Sequence, residues 1–201
     1  MLTSILVIVS IALAVRSAPT SSQCSIDSGV SHTFYGWPDN DPPSAATAYN
    51  CEGRNYIAGG TGTYDDPVTF ASAPSEFTQC EIIFDPYLQK YLRFEDSCAA
   101  CTTDWADGQG FMHIDVWSGS NTGSGGQSQT DCEIAMTPAP KSQSIIRNPS
   151  PSLSVDSKFL LLRSVEPGIS LLTSPSAKPI YANGACIGYY YNYDATSSCS
   201  S

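Results

Sequence analysis

The sequence predicts an all-β domain, a small barrel with long disulfide-stapled loops, followed by a small C-terminal extension. Three observations lead there. Between Ser31 and Trp117, short β-prone runs alternate with turn clusters, and no helix-length 3.6 pattern appears. Eight Cys, all beyond residue 18, form an even set suited to disulfides. After Thr137 the composition turns to Pro and Ser, and the charge, most Cys and most aromatic residues lie before that point.

Leu2 to Val15 is almost wholly apolar but too short to span a bilayer, and Arg16-Ser17-Ala18 and a polar stretch follow. Residues 1–18 therefore read as a signal peptide cut near Ala18. The mature chain is expected to be secreted, extracellular and soluble, without a lipid-anchor signal, and with its Cys oxidised as structural staples. The net charge of −10 opposes nucleic acid and anionic membranes, so neither is an expected partner. A monomer is expected.

Within the domain assigned to residues 24–137, "SHTFYGW" (31–37) is a strand stopped by the turn cluster Pro38 to Pro43. "CEIIFD" (80–85) and "KYLRFED" (90–96) form a hairpin around Pro86-Tyr87. "FMHIDVW" (111–117) is another strand, and a short helix is expected from about Ser75. Gly119–Gln129 reads as a flexible loop and residues 138–157 as a Pro/Ser-rich linker. In the extension, 158–201, "KFLLLRSV" and "ISLLTS" read as strands, with a flap tied by a Cys186–Cys199 disulfide. The tyrosines at 189–191 and Tyr193 suit a packed strand better than a stacking surface.

The strand 111–117 holds the main chemical signal. Met112, Ile114 and Val116 point to one side, toward a core. Phe111, His113, Asp115 and Trp117 point to the other. That set is too polar for a core and too aromatic for an ordinary solvent face. Rings stack on the C–H faces of sugars, and an apolar wall raises a carboxyl pKa, keeping the acid able to protonate a glycosidic oxygen.

"TFYG" (33–36), "ATAYNC" (46–51), "FEDSCAAC" (94–101) and "HID" (113–115) follow one another in an order that resembles the double-psi β-barrel superfamily. That group includes the first domain of expansins, glycoside hydrolase family 45 and rare lipoprotein A-like proteins. "ATAY" and "IDVW" also resemble the three-Asp domain of lytic transglycosylases. The resemblance covers about residues 31–137 and is nearest to small secreted fungal proteins of this type. It implies a six-stranded double-psi barrel with Asp115 as general acid and Tyr35 and Thr33 lining the same groove. Asp96 matches the Asp of Asp-x-Cys, and its parity with Leu92 and Phe94 favours a structural role accepting backbone hydrogen bonds. The resemblance places the second carboxylate of the hydrolases two residues after the opening-strand tyrosine; here Trp37 holds that position, expansins lack the base as well, and Asp39 or Asp41 in the following loop would have to replace it. Substrate contacts are expected from Thr33, Trp37, His113, Trp117, Phe111 and Asp96.

Other chemistry is poorly supported. The glycine-rich loop 52–70 lacks the context of a phosphate loop, and Asp65 and Asp66 read as solvated turn formers, one of them paired with Arg54. Only two His occur, so no metal and no cofactor are expected. Three functions remain open. The first is cleavage of a cell-wall polysaccharide (glucan, chitin or peptidoglycan), by a glycosidase or by a lytic transglycosylase with a single acid. The second is expansin-like or effector-like binding without cleavage, and the third is protease inhibition.

Overall fold

The computed structural model describes residues 23–51, 53–119, 126–155, 181–182, 185–186 and 199. The elements are β1 (Ser25–Tyr35), β2 (Val68–Ser72), β3 (Ile82–Asp85), β4 (Lys90–Ser97), α1 (Ala99–Trp105), β5 (His113–Trp117), α2 (Gly126–Met136), β6 (Gln143–Arg147), β7 (Tyr181–Ala182) and β8 (Ala185–Cys186). Six strands close a barrel in the order β1-β5-β2-β4-β3-β6, and β7 and β8 pair separately. β1/β5 and β2/β4 are parallel, whereas the other neighbours are antiparallel.

β1 serves two partners. Its first half pairs with β6 and its second half, from Ser31, with β5. The ladder shifts between Ser28 and Val30, where Gly29 takes φ 75°, a conformation glycine adopts without a Cβ penalty. Alternating residues then fill the barrel: Val30, Phe34, Phe70, Leu92, Phe94, Ile114, Val116 and Ile145 form one buried cluster. Ile114 and Val116 thus lie in the core, as the parity of their strand requires, and the 82–97 hairpin forms as the sequence predicts.

Several sequence expectations need correction. The stretch 138–157 is not a linker throughout, because it supplies β6, the strand that closes the barrel; the domain therefore runs past residue 137. Ile145 and Ile146 are both fully buried, one in the barrel core and one against Phe84 and Tyr91, so this strand has no polar face to alternate. Residues 126–129 are the first turn of α2 rather than loop. No helix starts near Ser75, where the chain makes turns. Cys199 pairs with Cys24, not Cys186, tying the C-terminal region to the start of β1. Cys51–Cys80 and Cys98–Cys101 are also bonded, and Cys132 is in a disulfide. The segments KFLLLRSV, ISLLTS and Tyr189 to Tyr193, and the leader 1–18, lie outside the described residues.

The loop before β2 is held by charge. Arg54 Nη2 lies 2.7 Å from Asp66 and Arg54 Nη1 2.9 Å from Glu95. The buried Glu95 also takes Arg93 at 2.8 Å, so both of its oxygens are paired. Among the described residues, no helix is long and apolar enough to cross a membrane.

Candidate functional site

The parallel register of β1 and β5 sets Thr33 opposite Asp115 and Tyr35 opposite Trp117. Thr33 Oγ1 lies 2.7 Å from Asp115 Oδ1 and 2.9 Å from His113 Nε2. His113 Nδ1 lies 2.7 Å from Asp104 Oδ2 on α1. Four side chains thus form one chain of contacts, Asp104–His113–Thr33–Asp115.

Helix α1 is placed by its own ends. Cys98 is its N-cap, with its sulfur accepting the Cys101 N–H, and its disulfide to Cys101 closes the first turn. Ala106 stops the helix in the left-handed region. The backbone of His113 is fixed from below: Ser72 Oγ donates to its carbonyl at 2.9 Å and its N–H donates to Glu76 Oε1 at 3.2 Å. Ser72 Oγ is also 2.7 Å from Glu76 Oε2. One hydroxyl hydrogen serves only one of these bonds, so the second requires a protonated Glu76. Burial indeed pushes the Glu76 carboxyl up to about 7.

The same reasoning applies to Thr33. Its single hydrogen goes to Asp115 when His113 donates from Nε2, or to His113 when Asp115 carries a proton and donates. The proton therefore sits at one end or the other, with Thr33 as the bridge. Burial raises Asp115 to about 7; the Thr33 hydrogen bond opposes this, and the charges of Asp39 and Asp96 add to it. Asp115 is only partly exposed, yet it reaches the surface between buried neighbours. Asp104, His113 and Thr33 also share the bonding pattern of an acid–base–alcohol triad. The Asp115 carboxyl against the hydroxyl disfavours an alkoxide there, and a proton carrier fits the four groups better.

The remaining expected site residues divide. Tyr35 is buried, its hydroxyl 3.3 Å from Asp96 Oδ2, and burial pushes its phenol well above the ordinary range. Asp96 accepts from Ala48 N and Ser97 N, both at 2.9 Å, the structural role its parity suggests. Trp117 is 5% exposed and packs edge-on to Tyr35, so it forms the floor of the site rather than a free stacking platform. Trp37 is partly buried against the same cluster. Phe111 has Lys141 Nζ 3.8 Å above its ring, so that face is occupied. Asp39 is exposed, its Oδ1 accepts from Gly36 N at 2.8 Å, and its charge reaches Asp115. Asp41 is exposed in the same loop, before a cis Pro42, and the structure does not bring its carboxylate to Asp115 by any hydrogen bond among the described residues.

Sequence reasoning missed Asp104, Glu76 and Glu133. Glu133 on α2 is buried, its Oε1 taking hydrogen bonds from Ser118 Oγ and from Gln129 Nε2, the latter at 3.1 Å. Asp104 carried one signal, a position on the residues just after the Cys-x-x-Cys; Glu133 carried none. Among the described residues, no three His, Cys, Asp or Glu side chains gather as a metal site.

Comparison with known proteins gives two matches. The curated protein DDB_G0273701/DDB_G0273221 of Dictyostelium discoideum, described as uncharacterized, is 39% identical over 105 residues. The match covers 52% of this chain and 44% of that protein, so the chain spans less than half of its relative. No solved structure matches the chain. A family model described as the DDB_G0273701 N-terminal domain matches residues 27–166, a range that takes in the barrel from the third residue of β1 through β6 and every member of the Asp104–Asp115 chain. The chain belongs to the DDB_G0273701 N-terminal domain family.

Proposed function

We propose that this is a secreted double-psi β-barrel protein that takes a cell-wall polysaccharide in a groove over β1 and β5 and cleaves it with Asp115 as general acid. The observation that carries the reading is the shared hydroxyl of Thr33, which joins Asp115 to His113 and Asp104. Asp115 holds its proton near neutrality because the buried neighbours around its half-buried carboxyl keep most water from it. It gives that proton to the glycosidic oxygen as the bond to the anomeric carbon breaks. Asp115 then regains a proton from solvent, while Thr33 turns its hydroxyl between Asp115 and His113 Nε2 and Asp104 holds the ring. The double-psi assignment and the kinship with expansin-like, rare lipoprotein A-like and family-45 proteins draw support from the closed order β1-β5-β2-β4-β3-β6 with two parallel pairs. Secretion draws support from the disulfides.

Binding without cleavage is the second reading, and Trp37 favours it, since it stands where the family-45 enzymes have their base. A panel of cellulose, chitin and peptidoglycan separates the two. Cleavage gives new reducing or anhydro ends from one polymer, lost in Asp115→Asn. Sedimentation with a polymer, unchanged in Asp115→Asn and without new ends, supports binding alone. Neither binding nor cleavage across the panel contradicts both.

A further inference from the structure

The Cys98–Cys101 bond joins residues only 3 apart, whereas Cys51–Cys80 spans 29 and Cys24–Cys199 spans 175. Closing so short a loop removes little freedom from the unfolded chain, so of these three bonds it is the one whose opening costs the fold least. Cys98 is half-buried and packs against the cluster of Tyr35, Ala71 and Trp117 that forms the floor of the site. Cys101 is fully buried. One sulfur therefore borders the site, and the other is shut inside the protein.

α1 stays attached without this bond. Cys98 N donates to Ser72 O at 3.0 Å, and Thr102 Oγ1 donates to Cys98 O at 2.8 Å. At the far end Phe111 N donates to Asp104 O at 2.9 Å, and Trp105 Nε1 donates to Ser75 Oγ at 3.1 Å. The disulfide adds the seating of Cys101 in the first turn. Positions 101 and 104 are three apart and share a helix face. On that face Cys101 is sunk into the protein and Asp104 meets His113 Nδ1 at 2.7 Å, so the seating of one bears on the reach of the other.

We infer that the Cys98–Cys101 bond is a thiol-exchange site, opened at Cys98 by an external low-molecular-weight thiol, and that its state governs the Asp104–His113 contact. The exchange stands apart from the cleavage reading of Asp115; its effect on turnover rests on that reading. In the first step the incoming thiol releases its proton and its thiolate attacks Cys98 Sγ. A new S–S bond forms there as the Cys98–Cys101 bond breaks. The electron pair leaves on Cys101 Sγ, which takes up the released proton. A second thiol, attacking the added sulfur, forms the small-molecule disulfide and leaves Cys98 as a thiolate. Two thiols are oxidised and one protein disulfide is reduced. The Cys101 N–H, 3.0 Å from Cys98 Sγ, is placed to bond that thiolate. In reverse, Cys101 attacks the mixed disulfide at Cys98 and expels the small thiol.

The test incubates the full chain in glutathione buffers of stepped reduced-to-oxidised ratio, traps the thiols with acid and an alkylating agent, and maps them by mass spectrometry. Cys98–Cys101 is expected to open at a less reducing ratio than Cys51–Cys80 and Cys24–Cys199, with glutathione on Cys98 and none on Cys101. Cys101→Ser, which removes the resolving thiol, should accumulate the mixed disulfide, whereas Cys98→Ser should take no glutathione on the buried Cys101. A bond that opens no sooner than the other two, or glutathione carried by Cys101, would overturn the exchange site. The ¹⁵N shifts of the His113 ring, read without substrate, should change as the bond opens, in the direction expected for Asp104→Ala, and return on reoxidation. Opening that leaves them unchanged would overturn the control of the ring. On a polymer that the chain cleaves, opening should lower turnover about tenfold, the loss expected for Asp104→Ala. Unchanged turnover with Asp115→Asn inactive would also overturn that control and leave the acid role of Asp115 standing. Full activity in Asp115→Asn would instead remove the cleavage reading and leave the exchange site to the labelling result.

Discussion

Asp104 Oδ2 lies 2.7 Å from His113 Nδ1, so a helix that begins at a disulfide orients the imidazole ring that faces Thr33. The carboxylate favours a proton on Nδ1 and leaves Nε2 for the Thr33 hydroxyl. Asp104→Ala is expected to lower turnover about tenfold, the scale of one charge-assisted hydrogen bond. Asp104→Asn, which keeps an acceptor, should recover most of it. The ¹⁵N shifts of the His113 ring check the tautomer directly and should change only in the Ala variant.

Thr33→Val removes the bridge while keeping the branched shape. The hydroxyl lowers the proton affinity of Asp115 against the larger effect of burial. Without it Asp115 should titrate higher still, so the basic limb of the pH–rate profile moves up and kcat falls. Thr33→Ser should restore both. Denaturant unfolding is expected to show a loss of about 1–3 kcal/mol in Thr33→Val, from two partners left unsatisfied.

Stability should rise on acidification. In the folded state Glu76, Asp85 and Asp115 are raised to about 7 and Glu133 to about 8, in each case first by burial. The folded protein holds these protons more tightly than the unfolded chain. That stabilisation is full below the ordinary carboxylate range and is lost as pH rises through about 7 to 8. His32, buried beside Asp85, opposes it: its value falls to about 3, so its contribution is present above its ordinary value and lost as pH falls toward 3. Four groups outweigh one, and calorimetry should give a higher Tm at pH 5 than at pH 8. Asp115→Asn should raise Tm more at pH 8 than at pH 5.

The disulfides should differ in worth. Cys24–Cys199 spans 175 residues, Cys98–Cys101 only 3. Loop-closure entropy gives about 5 kcal/mol for the first and about 2 kcal/mol for the second. Paired Ser substitutions, compared by equilibrium unfolding, should follow that order. The short bridge should matter instead for the His113 ring, through the position of Asp104 on α1.

How much of this was legible follows from which elements carry it. Thr33, Tyr35 and Asp115 sit on strands whose period of two shows in the sequence, so their common side was readable. The covering of that side was not. Lys141 over Phe111 and Tyr35 against Trp117 come from distant segments and turn expected sugar platforms into packed walls. α2 was hidden because its inward face is Gln129, Cys132, Glu133 and Met136, a helical spacing with two polar members that no hydrophobic pattern reports. β6 was hidden because its two isoleucines face opposite buried clusters inside a Pro/Ser-rich stretch. Trp37 stands in the sequence where the family-45 resemblance places a second carboxylate, and the turn contact of Asp39 just beyond it, to Gly36 N, shows only in the structure.

The central claim is that Asp115 keeps its proton near neutrality, and ¹³C carboxyl NMR of the ligand-free protein tests it most directly. The carboxyl carbon of Asp115, assigned by its loss in Asp115→Asn, is expected to titrate with a midpoint of about 7 and to move upward in Thr33→Val. A midpoint in the ordinary aspartate range, unaffected by Thr33→Val, would contradict the role of Asp115 as the acid of this site.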